Sequence, residues 1–272
     1  MKALSLLAAI CLLGIFESVG QGSSTSNTNS NKLWHGKKAA VVLTYDDALE
    51  VHLDNVIPAL DSYGLKGSFY LSAAFPGSKN RLNDWRRAAT NGHELGNHTL
   101  YHPCDATKPG RSWVSPQNDL SKYSIAQIAR ETEMTNIFLE SLDGKKQRTF
   151  AYTCGDTETA EGSFISAIKQ QFVAMRGVKG DVNRLSNLDV TNLNCYVVDD
   201  GNADQLQSWA EKAKSENALL VVLFHGVGGG HNINVDLKKH NAFLKHLKDN
   251  ERDFWVTTLL DAAQHCVEQK AK

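Results

Sequence analysis

The chain has 272 residues, 42% of them hydrophobic and 22% charged, an ordinary globular composition that excludes disorder as its main state. Lys and Arg number 29 against 30 Asp and Glu, a formal net charge of -1, so no global basic field exists to hold phosphate backbones. Nucleic acid is therefore not an expected partner.

The chain opens as an export signal. Lys2 supplies a positive start, residues 3–16 are an almost unbroken apolar run, and Ser18-Val19-Gly20 is a small-residue cleavage site. Residues 1–20 are thus expected to be a signal peptide, with Gln21 beginning a periplasmic or extracellular protein. No later stretch reaches the roughly 18 apolar residues that spanning a bilayer needs, so no membrane span is expected. Bulky Ile10 before Cys11 argues against a lipid anchor there. Of the remaining cysteines, Cys104, Cys154, Cys195 and Cys266, an exported chain can oxidise any, and three complete pairings are open.

Residues 22–31 are only Gly, Ser, Thr and Asn, which have nothing to bury. Residues 21–32 therefore read as a flexible linker, and 33–272 as one domain. In that domain short β-rich runs at 39–45, 67–71, 93–97, 149–152, 172–175, 195–198, 218–224 and 254–256 predict strands. Segments of helical periodicity lie between them, clearest at 124–142 and 203–215. Residues 41–43 and 219–224 are apolar on successive positions, as in strands buried on both faces of a parallel sheet. Repeated strand–helix units mean an α/β architecture, doubly wound or a barrel. Pro103, Pro109 and Pro116 mark 103–122 as a long ordered loop of the kind that borders ligand sites.

Three strand ends carry chemistry. Asp46-Asp47 follows the apolar run of the first strand, where two adjacent carboxylates are costly unless a partner such as a metal joins them; the plainer reading is a helix cap. His98-Thr99-Leu100-Tyr101-His102 sets two imidazoles at i and i+4, neighbours on one side of a helical turn and able to share a metal. His225 ends the most apolar strand and precedes a glycine-rich stretch. Together they are what the C-terminal face of a parallel α/β sheet would present as an active site.

Thr44-Tyr45-Asp46-Asp47, His98-Thr99-Leu100-Tyr101-His102-Pro103 and Leu223-Phe224-His225 resemble the first, second and fifth motifs of the polysaccharide deacetylases of carbohydrate esterase family 4, the NodB-homology domain. The resemblance implies a distorted (β/α) barrel and metal-dependent removal of acetyl groups from a polysaccharide or oligosaccharide. It implies Asp47, His98 and His102 as ligands of a divalent metal ion, zinc in the first place. It further implies Asp46 as the general base that activates water, His225 as the general acid, Leu223 as lining for the acetyl methyl, and the backbone N–H of Cys154 as an oxyanion donor.

The third motif departs from the family pattern of Arg-x-Pro-Tyr, for here it reads Ala151-Tyr152-Thr153-Cys154-Gly155. The arginine that would hold Asp46 is missing, and Arg176, then Arg111, are the expected substitutes. The fourth motif has no clear match, with Asp181 and Asp189 as candidates to orient His225. Cys104 and Cys154 would flank the same site, and a disulfide between them is expected ahead of two free buried thiols. Trp113 and Tyr101 have rings that can stack on sugars, but a single aromatic in a loop is better read as packing on its own domain, and His231 as a solvated residue. N- and O-linked acetyl substrates both fit. Ala151 also leaves open a carbohydrate-binding protein that keeps the fold and metal with little catalysis, and a related barrel leaves open a metallohydrolase of another bond.

Overall fold

A computed structural model describes residues 33–270; the expected signal peptide and linker lie outside the described residues. Eight parallel strands form one sheet: β1 (Ala39–Asp46), β2 (Ser68–Leu71), β3 (Glu94–Asn97), β4 (Thr149–Ala151), β5 (Ala174–Arg176), β6 (Tyr196–Val197), β7 (Leu219–Phe224) and β8 (Phe254–Thr257). Their order is β5-β4-β3-β2-β1-β7-β6. β1 has β7 along one side, while its other side takes β8 at residues 39–42 and β2 at residues 44–46.

All eight expected strands exist, each bounded within two residues of its predicted range. β1 explains why they were legible. All its residues are buried, and they divide by parity between two cores. Ala39, Val41, Leu43 and Tyr45 face a layer that holds Leu60, Trp85, Leu139 and Phe243 from the surrounding helices. Ala40 and Val42 face inward, with Tyr70, Ala151, Ala174, Leu193 and Leu223. With both faces covered, every position wants an apolar side chain, and period-2 alternation disappears.

The sheet curls until its edges nearly meet. Leu193 bridges to Arg176 on one edge strand, and a few residues later Tyr196–Val197 pairs with Val222 and Leu223 of β7. This is the expected distorted (β/α) barrel, closed by one irregular segment. The helix predicted at 124–142 spans Ile125–Asp143; Ser124 caps it by accepting the Gln127 N–H at 3.1 Å, and Gly144, at φ 70°, ends it in a left-handed turn. The one predicted at 203–215 is a 3-10 turn, Ala203–Gln205, leading into Leu206–Ser215. The proline-containing loop is ordered by a bridge between Cys104 and Asp119 and by two 3-10 turns. Among the described residues, no helix is long and apolar enough to cross a membrane.

Candidate metal centre and active site

Parallel pairing puts every strand's C-terminal end on one side of the barrel, and five ends contribute there. β1 supplies Asp46 and then Asp47, β3 leads into His98, β4 into the turn at Cys154, β5 ends on Arg176, and β7 leads into His225. Asp46, Asp47, His98, His102, Cys154, Leu223 and His225 all line one cavity. The backbone around it is strained: Asp47, Ala48, Thr99, His102 and Cys154 have φ of 78°, 50°, 64°, 56° and 55°. Left-handed conformations cost non-glycine residues roughly 1 kcal/mol or more each and gather at functional sites.

The two histidines do not share a helical turn, as their spacing suggested. Residues 98–102 form a loop in which Thr99 and His102 are left-handed, and the two rings meet at 4.9 Å between centroids. Side chains replace a helical ladder: Asn97 Oδ1 accepts the Thr99 N–H at 2.8 Å, Thr99 Oγ1 the His102 N–H at 3.0 Å, and Glu131 the Tyr101 N–H at 3.3 Å.

The donor set fits a divalent cation. Ligand atoms of Asp47, His98 and His102 lie within 4.8 Å of one another. Asp47 Oδ1 is buried with no hydrogen-bond partner among the described residues, 3.5 Å from His98 Nε2 and 3.3 Å from His102 Nε2. Two ligands each about 2.0–2.1 Å from a tetrahedral ion stand roughly 3.3 Å apart. His98 donates its Nδ1–H to the Ala151 carbonyl at 2.8 Å, which leaves the Nε2 lone pair facing the cluster. Burial alone would raise the Asp47 pKa, but His98, His102 and His225 outweigh it and hold the carboxyl well below the usual range. Burial pushes His102 down to about 4; for His98 the two carboxylates overcome burial and raise its pKa.

Asp46 is on the inward face of β1, in step with Ala40 and Val42, and is 2% exposed. Arg176, equally inward on β5 and fully buried, reaches it: Nη2 donates to Oδ1 at 2.5 Å and Oδ2 at 2.6 Å. The missing guanidinium is thus supplied by the first of the two expected residues. Arg111, the second, does not approach Asp46. It pairs with buried Asp156 and donates to the Cys154 carbonyl at 3.0 Å, bracing the loop beside the cavity. A Cys104–Cys154 disulfide, with 5.8 Å between Cα atoms, joins the segment after His102 to the turn after β4, which removes both sulfurs as thiolate ligands. Cys195 and Cys266 are free and buried.

His225 differs from expectation in its surroundings. Asp181 binds Arg184 and Lys212, and Asp189 binds Thr191, so neither candidate carboxylate orients it. Among the described residues its buried Nδ1 has no partner. Burial lowers its pKa despite nearby Asp46 and Asp47. His52, on a π-helical turn at His52–Val56, holds the His225 carbonyl at 2.7 Å. Two further residues line the cavity against expectation: His231 is part of its wall and not merely solvated, and Trp113, 62% exposed, stands beside it and does not simply pack on its own domain. The three glycines before His231 were the available signal, since they let the chain fold back over the strand end.

The profile of the polysaccharide deacetylase family matches residues 35–171. Gellan lyase from a Bacillus species is 26% identical over 192 residues, 70% of this chain, which spans only 7% of that protein's length. Among solved structures, a Mycobacterium smegmatis protein assigned to the polysaccharide deacetylases matches with a TM-score of 0.63 at 13% identity, covering 86% of this chain and 92% of that one. A carbohydrate esterase family 4 pseudoenzyme from Bacillus anthracis matches with a TM-score of 0.52 at 18% identity, covering 84% and 66%. These structural likenesses speak to the fold, and with the profile match over half of the sequence the chain belongs to the polysaccharide deacetylase family.

Proposed function

We propose that this chain is an exported, metal-dependent hydrolase that removes N- or O-linked acetyl groups from a polysaccharide or oligosaccharide. The observation that carries the reading is Asp46 locked by Arg176 beside the Asp47, His98 and His102 cluster, with His225 across the same cavity. A divalent ion such as zinc, held by Asp47, His98 and His102, would supply Lewis acidity towards the acetyl carbonyl and make water more acidic. Asp46 takes the proton of the attacking water, and Arg176 keeps its carboxylate aimed. Leu223, inward at the end of β7, shapes the wall for the acetyl methyl. The Cys154 N–H donates to the acyl oxygen as charge develops on it. His225 gives a proton to the departing nitrogen or oxygen, so one proton is taken, one is returned, and acetate leaves with the free amine or hydroxyl. Support for export comes from the leader-like residues 1–20 and from the disulfide, which oxidising compartments favour.

The His225 Nδ1, with no partner among the described residues, favours the second reading, a carbohydrate-binding protein with weak catalysis, because a general acid with no orienting partner is poorly positioned. Acetate release from acetylated chitin, peptidoglycan and xylan oligosaccharides, with and without a chelator, separates the two. Chelator-sensitive release supports the hydrolase; binding without release supports the second reading.

A further inference from the structure

His231 takes no part in the proton transfers of Asp46 and His225, although it stacks on His225 with centroids 4.9 Å apart and planes inclined by 18°. Its Nε2 lies 4.0 Å from Asp47 Oδ2, the same distance as the Nε2 of His225. What it offers the cavity is defined by its other nitrogen. The main-chain N–H of Ile233 donates to His231 Nδ1 at 3.0 Å, so that lone pair is occupied and the ring proton belongs on Nε2. A protonated Nε2 is a hydrogen-bond donor and not a metal ligand.

The position is also built. His231 sits between two short paired strands, Gly226–Val227 and Asn234–Val235, and Asn234 Oδ1 accepts the Gly229 N–H at 2.7 Å. At Gly230, φ is 84° and a Cβ would come within 2.8 Å of Val51, so the loop lies too close to its neighbour for a side chain. His231 is 29% exposed against 15% for His225, which puts it nearer the rim, where Trp113, Val178 and Ile233 are apolar wall.

We propose that His231 is a substrate-binding residue whose Nε2–H donates to an oxygen of the sugar that carries the acetyl group. The inference rests on the deacetylase reading and deepens it: a donor of fixed direction beside an apolar wall suits a pyranose, which presents C–H faces and oxygens together. A net hydrogen bond of about 0.5–1.5 kcal/mol corresponds to roughly two- to tenfold in affinity.

The test compares wild type with His231→Phe, which keeps a stacking ring without the donor, and His231→Gln, which restores one. Binding of N-acetylchito-oligosaccharide and acetylated xylo-oligosaccharide is measured in an Asp46→Asn background, and KM and kcat in the native one. His231→Phe should weaken binding and raise KM by about two- to tenfold, with kcat changed less, and His231→Gln should recover part of it. Nitrogen-15 NMR of the full domain should show the Nε2–H tautomer at His231. A Nδ1–H tautomer, or unchanged binding and KM in His231→Phe, overturns the inference while leaving the deacetylase reading intact. A loss confined to kcat overturns it too, since His231 would then act on His225. Wild type that neither binds nor deacetylates any of these glycans removes the deacetylase reading and this inference with it.

Discussion

Ala151 and Arg176 are partners in register on the adjacent strands β4 and β5, and both face inward. The guanidinium that holds Asp46 therefore arises one strand away from the position where the family pattern carries it. Neighbouring strands are about 4.8 Å apart, a gap the arginine side chain covers, and alanine at 151 leaves the inner layer open for it. Arg176→Ala should lower turnover by roughly tenfold or more while metal stays bound. It should also cost about 3–5 kcal/mol in stability, because Asp46 would be left buried and unpaired. Adding Ala151→Arg to that variant should recover part of both losses; acetate release, metal content and urea unfolding check it.

Purified protein should carry about one divalent ion per chain. His98→Ala should lose most of it, because Asp47 and His102 alone leave an incomplete donor set. Elemental analysis of both proteins decides the point, and full occupancy in the variant would remove the site.

Asp46→Asn and His225→Ala should retain the metal and lose turnover by roughly 10² or more, the usual scale of general acid–base contributions. Near-normal rates with both would mean that protons move by another route.

The Cys104–Cys154 bridge closes a sequence separation of 50 residues. Chain-entropy arguments give about 4 kcal/mol for such a loop. Replacing both cysteines by serine should lower stability by up to that amount, read as a lower urea midpoint.

Two buried imidazoles remote from the cavity set an acid limit. His93 accepts the Gly67 N–H at 3.2 Å and donates to Asp61, while His240 accepts from the Tyr45 hydroxyl at 2.9 Å. Burial pushes both down to about 4 from 6.5. The unfolded chain therefore binds the extra protons first, so their stability is fully present above about pH 6.5 and is lost as pH falls towards 4, roughly 3 kcal/mol for each imidazole. Urea unfolding between pH 7 and 4.5 should show the decline, and His240→Gln should flatten it.

The strands were legible because β1 and β7 are covered on both faces and so read as unbroken apolar runs ended by polar residues. Asp46-Asp47 and His225 stood out for the same reason, since an ionisable group at the close of a buried apolar run is costly unless it has a use, whereas His98 stood out by its i, i+4 spacing to His102. The mutual approach of Asp47, His98 and His102 also needed the left-handed loop at Thr99 and His102, which spacing alone misread as a helical turn. Which arginine serves Asp46 depended on strand register across a curled sheet, and sequence distance carries no record of register. His231 shows the same limit, since only the fold-back of Gly228 to Gly230 brings it onto His225. Burial pattern is a local property that one strand's residues record by themselves, whereas contacts between strand ends and loops are set by packing between segments far apart in the chain, and only the tertiary structure decided them.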